Sequence, residues 1–469
     1  MELYELTIKE ATEGLSLKKF SSVELTTACL NQIKKHDKDL NAFITVCEDK
    51  ALDAAKKADE LINQESDLSL LGIPIALKDL FSTKGIRTTA GSKIIENYIP
   101  PFDATVVRKL KNAGAIIVGK TNQDAWGHGS SGENSDFGPT KNPYDLSRVP
   151  GGSSSGSAVA VATGESLMAT GTDTGSSVRL PAAFCNVVGL KPTYGRVSRY
   201  GIIAMASSFD TIGHITKTVY DNALVLETTA GKDIFDATTA TREAPKYTKS
   251  LGKNIEGLTI GIPKEYFVDE MEKSVKDTIS ASIKTMEKLG VKIKQISLPY
   301  TEYAMACYYI LVPSEISSNL ARYDGIRYGG ERKMFGDEAK RRIMLGTYTL
   351  SSGYYDAYYL KAAKVRNLIK QDFENAFKEV DLIIAPSSPT LPWKIGEKAN
   401  DPLKMYLSDI FMCPINIAGV PSLNIPCGFV DNLPLGMQII GPQFSEELLF
   451  QAGHAYEQET MFYKQKPNL

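Results

Sequence analysis

Pro150-Gly151-Gly152-Ser153-Ser154-Ser155-Gly156-Ser157-Ala158-Val159-Ala160-Val161-Ala162 decides how the chain is divided. Its first seven residues have the composition of a flexible linker, which would separate two domains. Its last five are small and apolar, and they read as the start of a tightly packed helix. A flexible linker would not run straight into such a helix. The stretch therefore reads as a loop and helix inside one body. The length of 469 residues allows about three domains or one large α/β domain. The expectation is a single domain over residues 1–469.

Outward from this stretch, helices and short apolar strands alternate. Val106, Val107 and Leu110 suit a helix face, Gly114 can end it, and Ala115 to Val118 is a short strand. Val275, Ile279, Ile283, Met286 and Leu289 mark a second helix, Gly290 ends it, and Val291, Ile293 and Ile296 alternate as a strand. Leu258 to Ile262 is a strand, and residues 353–380 read as a long helix leading into the strand Asp381–Ala385. This pattern predicts an α/β fold with a largely buried sheet. Residues 1–65 differ. Ser21-Ser-Val-Glu24 fits a capping box, Leu25, Cys29 and Ile33 follow at helical spacing, and Ala51 to Asn63 is similar. That region reads as helices packed on the body, with no strand.

Composition narrows the class. Hydrophobic residues make up 43% and charged residues 23%, which excludes disorder, a collagen-like fibre or a coiled coil for the whole chain. With 53 basic and 55 acidic residues, the chain lacks the basic footprint of a self-sufficient nucleic-acid binder. Six cysteines lie at no metal-knuckle or redox spacing and read as reduced thiols. The charged N-terminus has no signal-peptide core, and no apolar run approaches the ~18 residues of a membrane span. A cytoplasmic protein with no metal and no membrane contact is expected.

Two motif matches fail on context. Gly114-Ala-Ile-Ile-Val-Gly119-Lys120-Thr121 fits the phosphate-loop pattern, but Ala-Ile-Ile-Val reads as the strand itself and not as a loop after one. Gly152-Ser-Ser154-Ser-Gly156 fits the hydrolase elbow, which needs an apolar strand just before it. Asn142 to Pro150, with two prolines, is no central strand.

Three stretches hold the parts for chemistry. Gly72-Ile-Pro-Ile-Ala-Leu-Lys78-Asp79 ends an apolar strand on a lysine, whose ammonium must be solvated or paired. Pro150 to Gly156 supplies serines. Gly171-Thr-Asp-Thr-Gly-Ser-Ser177-Val-Arg179 supplies serines and a glycine that lets backbone N–H groups turn inward. A serine nucleophile, a lysine base and a backbone oxyanion hole form an acyl-transfer site without histidine. The base must be neutral, and burial lowers a lysine's pKa. A second serine can relay the proton. The other reading of the same residues is structural: Lys78 pairs with Asp79 or another carboxylate, and the loops are tight turns.

Taken together, the lysine strand, the Gly-Gly-Ser-Ser-Ser-Gly loop and the Gly-Thr-Asp-Thr-Gly-x-Ser-x-Arg stretch resemble the amidase signature family. The resemblance implies one large mixed β-sheet covered by helices on both faces, with the N-terminal helices packed on it. Residues 71–215 would form the catalytic core, and residues 216–469 the rest of the body and the substrate-binding part. It implies Lys78 as base, Ser153 as a bridging serine after a cis peptide bond, and Ser177 as nucleophile. The backbone N–H groups of Thr174, Gly175, Ser176 and Ser177 would form the oxyanion hole. The family has glycine where this chain has Ser176. If that backbone were left-handed, a serine would cost roughly 1–3 kcal/mol of strain.

Further stretches resemble one branch of that family, the glutaminase subunits of tRNA-dependent amidotransferases. They are Phe137–Pro143, Ser317–Gly329, Lys340–Gly346, Ser352–Tyr359 and Asn416–Pro421. This likeness implies glutamine as substrate, with Arg342 for its carboxylate, Asp409 for its ammonium and Tyr308 in contact with it. It implies no cofactor in this chain, and ATP with Mg²⁺ in a partner subunit. The partners would be a B-type and a C-type subunit in a heterotrimer, with misacylated tRNA held mainly by the B-type subunit. Two departures stand out. Residues 330–340 are shorter than the matching segment of many relatives, and Asn122-Gln-Asp-Ala-Trp-Gly-His-Gly129 departs from the commoner Asn-Met-Asp-Glu-Phe-Ala-Met-Gly. A stand-alone amidase acting on another small amide, and a non-catalytic scaffold, remain as alternatives.

Overall fold

A computed structural model describes residues 2–268, 271–323, 330–399 and 401–469. The last six residues of the Ser317–Gly329 stretch lie outside them. Eleven strands form one mixed sheet. They are β1 (Phe43–Val46), β2 (Pro74–Lys78), β3 (Ile116–Thr121), β4 (Met168–Asp173), β5 (Val188–Lys191), β6 (Thr211–Thr216), β7 (Thr259–Pro263), β8 (Lys292–Ile296), β9 (Leu382–Pro386), β10 (Ser422–Val430) and β11 (Leu433–Ile440). Their order across the sheet is β1-β3-β2-β4-β6-β5-β10-β11-β9-β7-β8. The strands β3, β2 and β4 run parallel, as do β9, β7 and β8, and the pairs between these blocks are antiparallel.

Both faces of the central strands are buried. In β2, Ile75 and Leu77 enter one apolar cluster and Ala76 another; in β3, Ile117 and the pair Ile116 and Val118 divide the same way. The helices Ser22–Leu40, Glu48–Asn63 and Ser155–Ala162 contribute to the second cluster. Val219–Thr229, Ala304–Leu320 and Glu446–Thr460 contribute to the first. Strands covered on both sides read as unbroken apolar runs, which is why β2 and β3 show no alternation.

Most expected elements are present. The helix Thr105–Asn112 ends before Gly114 at φ +87°, and the helix Lys273–Lys288 ends before Gly290 at φ +89°. The strands β7, β8 and β9 lie within a residue or two of their expected positions. Ser21 and Glu24 form the expected capping box. The long helix of residues 353–380 is shorter than expected. A wide π-helical turn, Tyr355–Leu360, precedes the α-helix Lys361–Ala376. The exposed Tyr355 stacks there on the half-buried Tyr359 at 5.2 Å.

One expectation is corrected. The N-terminal region is not all helix, because Phe43–Val46 is an edge strand paired antiparallel with β3. Four residues are too few to show a period, and an edge strand needs pairing on one side only. The phosphate-loop match is resolved as expected. Lys120 lies within β3, fully buried, and its Nζ meets Phe81 O at 2.9 Å, Thr88 Oγ1 at 2.7 Å and Asp79 Oδ1 at 3.3 Å. All six cysteines are free and buried. No helix among the described residues is long and apolar enough to cross a membrane.

The Pro150–Ala162 stretch is packed as its composition suggests. Gly152–Ser153 is a cis peptide bond. Gly156 lies in the first turn of the helix Ser155–Ala162, where a Cβ would fall 2.2 Å from Ala42 O and 2.7 Å from Asn122 N. Both neighbours are backbone, so neither can rotate away. Gly156→Ala is expected to destabilise the protein by about 1–3 kcal/mol through overpacking, despite alanine's better helix propensity. A urea unfolding midpoint equal to or above that of the unaltered chain would refute this account of the packing.

Candidate active site

Lys78 is the last residue of β2, between the parallel strands β3 and β4. Its side chain is 0% exposed. The Nζ donates to Ser153 Oγ at 2.7 Å, Ser154 Oγ at 2.9 Å and Thr172 Oγ1 at 3.0 Å. No carboxylate among the described residues pairs with it. Asp79 instead turns to Lys120 and accepts from the Thr89 hydroxyl and backbone N–H. The structural reading of Lys78 as Asp79's partner is therefore corrected. Successive strand residues point to opposite faces, so Lys78 and Asp79 diverge. Burial lowers the Lys78 pKa to about 7, against the pull of the more distant Asp124, Asp173 and Asp210.

The second stretch follows β4. Asp173 Oδ2 accepts from the N–H groups of Val178 and Arg179, at 3.1 and 3.3 Å, closing a turn. Inside that turn, the N–H groups of Thr174, Gly175, Ser176 and Ser177 donate to nothing among the described residues. Four consecutive free donors make a ready receptor for an anionic oxygen. The Thr174 hydroxyl donates to Asp210 Oδ1 at 2.7 Å. The Ser154 N–H donates to Ser177 O at 3.0 Å, which holds the two loops together. Ser177 is 6% exposed. Its hydroxyl has no hydrogen-bond partner among the described residues, so Lys78 and Ser153 touch directly while Ser153 and Ser177 do not. The backbone of Ser176 is not left-handed, and the strain considered for a serine there does not arise.

The expected substrate contacts come from the second half of the chain. Tyr308 lies on the helix Ala304–Leu320, with its Oη 2.8 Å from where a Cβ of Gly175 would be. Arg342 lies on the helix Asp337–Thr349, its Nε 2.7 Å from Glu338 Oε1. Its guanidinium sits 5.5 Å from the Tyr309 ring and 5.8 Å from that of Tyr406. The two terminal nitrogens have no partner among the described residues, so the fork is free for a carboxylate. Asp409 is buried and its Oδ1 accepts from the Ser176 hydroxyl at 2.6 Å. Burial raises its pKa to about 6.

Sequence reasoning missed several neighbours. Ser154 and Thr172 complete the lysine's contacts. Thr172 shares a face of β4 with Thr170, whose Oγ1 accepts from the Lys78 N–H at 3.0 Å. Period-2 threonines on a buried strand were a usable signal. Glu338, Tyr309 and Tyr406, which seat Arg342, gave none. The variant stretch Asn122–Gly129 adjoins the lysine. Asp124 accepts from the N–H groups of Gly132 and Asn134, and burial raises its pKa to about 6. A Cβ at Gly127 would lie 3.8 Å from Ser153 Oγ. His128 is buried with both ring nitrogens unpaired among the described residues, and burial, helped by Arg342, keeps its pKa well below the usual value. No group of three or more metal-ligating side chains occurs among the described residues.

Comparisons with known proteins identify the family. The Amidase family model matches residues 24–450. The A subunit of the glutamyl-tRNA(Gln) amidotransferase of Carboxydothermus hydrogenoformans is 52% identical over 485 residues, covering 100% of both chains. That of Thermoanaerobacter pseudethanolicus is 54% identical over 477 residues, covering 98% of both. The crystal structure of its Thermotoga maritima counterpart is 42% identical with a TM-score of 0.84, over 98% of this chain and 96% of that one. A bacterial aryl acylamidase of the amidase signature family is 26% identical with a TM-score of 0.87, over 98% and 97%. A family match over residues 24–450, from the helix Ser22–Leu40 to the helix Glu446–Thr460, together with relatives 52% and 54% identical over nearly the whole chain, places this chain in the amidase family.

Proposed function

We propose that this chain is the glutamine-hydrolysing subunit of a tRNA-dependent amidotransferase. The observation that carries it is Lys78, buried with no carboxylate partner among the described residues and 2.7 Å from Ser153 Oγ, in a site with the free N–H groups of residues 174–177. Similarity at 52% identity to the A subunit of a glutamyl-tRNA(Gln) amidotransferase supports the substrate.

Glutamine enters with its α-carboxylate on the Arg342 fork and its α-ammonium on Asp409, and Tyr308 closes one wall. Ser177 Oγ attacks the side-chain carbonyl carbon. Its proton passes to Ser153 Oγ, and the Ser153 proton passes to the neutral Lys78 amine. The N–H groups of Thr174, Gly175, Ser176 and Ser177 receive the oxyanion. Losing one such donor typically costs ~3 kcal/mol of transition-state stabilisation. The Lys78 ammonium then returns a proton through Ser153 to the leaving nitrogen, and ammonia departs. Water attacks the γ-glutamyl ester, its proton taken by the same relay and then returned to the departing Ser177 Oγ, and glutamate is released with Lys78 neutral again. An ammonium donates to all three hydroxyls around Lys78, whereas the neutral amine donates to two and accepts from one. A pKa of about 7 keeps both forms populated in neutral solution.

The released ammonia serves a B-type partner that amidates misacylated tRNA with ATP and Mg²⁺, and a C-type subunit completes a heterotrimer. The even charge of 53 basic and 55 acidic residues suits a subunit that leaves tRNA binding to its partner.

Two experiments test this reading, the first on Ser177 and the partners. Ser177→Ala lowers ammonia release from glutamine by about 10⁴-fold or more, and the unaltered chain releases more ammonia when both partners, misacylated tRNA and ATP are supplied. Equal release alone and in complex, or better turnover of unrelated amides, would establish a stand-alone amidase instead. The second concerns pH. The base works only when neutral, so kcat should be low in acid and rise as pH rises through about 7. A kcat that stays flat from pH 6 to pH 8, two values chosen to be about one unit either side of that pKa, would exclude Lys78 as the base.

A further inference from the structure

Ser176 stands where a glycine would carry no side chain, and its hydroxyl is used. It donates to Asp409 Oδ1 at 2.6 Å, and both residues are buried, at 1% and 6% exposure. Among the described residues this is the one hydrogen bond to the Asp409 carboxylate. Asp409 itself is held by its backbone: its O accepts from the N–H groups of Met412 and Cys413 at 2.9 and 3.0 Å. The carboxylate is thus fixed in place with Oδ2 open. The backbone N–H of Ser176 is one of the four free donors beside Ser177.

We infer that Ser176 is a specificity-determining positioning residue: its side chain orients and charges the carboxylate that receives the substrate's α-ammonium, while its backbone faces the reacting carbonyl. The inference rests on the glutamine reading above. An O–H donor binds the ionised carboxylate more strongly than the neutral one. Burial raises the Asp409 pKa, and the Ser176 bond is the foremost influence opposing it, ahead of Arg342 and Arg179; Asp173 works with burial. Lys398 also lies in the field of Asp409. Tyr308, Tyr309 and Cys413 face it as neutral groups, each held protonated by burial.

The same bond separates two adjacent serines. The Ser176 proton is committed to Asp409, so Ser176 does not compete as nucleophile, whereas the Ser177 hydroxyl is uncommitted. A ligand at the amine end therefore touches, through one residue, the backbone that serves the reaction end. Selectivity for an α-amino group should then appear in kcat as well as in KM.

The test compares glutamine with 4-carbamoylbutanoate, the same chain without its α-amino group, in the unaltered protein, Ser176→Gly and Ser176→Ala. Both variants should reduce the preference for glutamine in kcat/KM by about 10-fold, the worth of one hydrogen bond to a charged group. Without its donor Asp409 holds its proton to higher pH, so the KM for glutamine should begin to rise in acid at a higher pH than in the unaltered protein, whose Asp409 pKa is about 6. Alanine removes the hydroxyl without freeing the backbone, so like behaviour of both variants assigns the effect to the lost bond. In an Asp409→Asn background, Ser176→Gly should change the preference no further. If the unaltered protein prefers glutamine but neither the preference nor the KM profile moves in the variants, the role of Ser176 is overturned and the glutamine reading stands. If the unaltered protein does not distinguish the two amides, the glutamine reading fails and this inference falls with it.

Discussion

A lysine amine with no exposure to water constrains everything around it. Burying Lys78 at the end of β2 costs solvation that must be replaced. The replacement is three hydroxyls within 3.0 Å and no carboxylate in contact. A contacting carboxylate would hold the amine protonated. Three aspartates, Asp124, Asp173 and Asp210, favour its charged form from farther away, but burial outweighs them and holds the pKa at about 7. The three accepting hydroxyls come from both the serine loop and β4, so satisfying one amine forces those two segments together.

A second buried charge joins the two halves of the chain. Arg179 meets Asp173 at 2.9 Å. It also donates to Gln438 Oε1 on β11 at 3.0 Å and to Asn416 Oδ1 at 2.6 Å. Asn416 Nδ2 in turn donates to Asp173 O at 3.0 Å. Against a burial that alone would raise it, the Arg179 guanidinium holds the Asp173 pKa below the usual range. A buried ion pair is only weak evidence for stability, because desolvation offsets the attraction. Its use here is geometric. It fixes the turn that leaves four N–H groups free, and it anchors that turn to the elements carrying Asp409.

What the sequence revealed follows from which interactions are local. Lys78 was legible because a cation ending the run Ile73–Leu77 conflicts with local apolar preference, and such conflicts mark function. The capping box at Ser21 and the glycine stops at Gly114 and Gly290 were legible because each is set by a few neighbouring residues. The edge strand Phe43–Val46 was not, since it exists through its pairing with β3. The hairpin of β10 and β11 was not singled out either. At the site, the loop residues came from a resemblance over more than one stretch, whereas Ser154, Thr172 and Glu338 depend on contacts across 76, 94 and 4 positions. The short spacing of Glu338 did not help. A carboxylate four residues before an arginine on a helix is usually a surface pair, and nothing local says that this one is buried.

The division of the site between halves bears on how one fold serves different amides. The lysine, the serine loop and the free N–H groups all lie between β2 and the turn after β4. Tyr308, Arg342 and Asp409 lie on elements that follow β8. The aryl acylamidase superposes at least as well as the Thermotoga protein, with TM-scores of 0.87 and 0.84, although its identity is lower, at 26% against 42%. Overall shape therefore does not report the substrate. A fold that keeps its acyl-transfer parts in one segment can change its recognition residues in another without moving the lysine. In this chain the two meet where the Ser176 hydroxyl donates to Asp409 and where Tyr308 lies against Gly175. In the mechanism proposed above, those contacts are where a change in what is recognised would be felt by the backbone facing the reacting carbonyl.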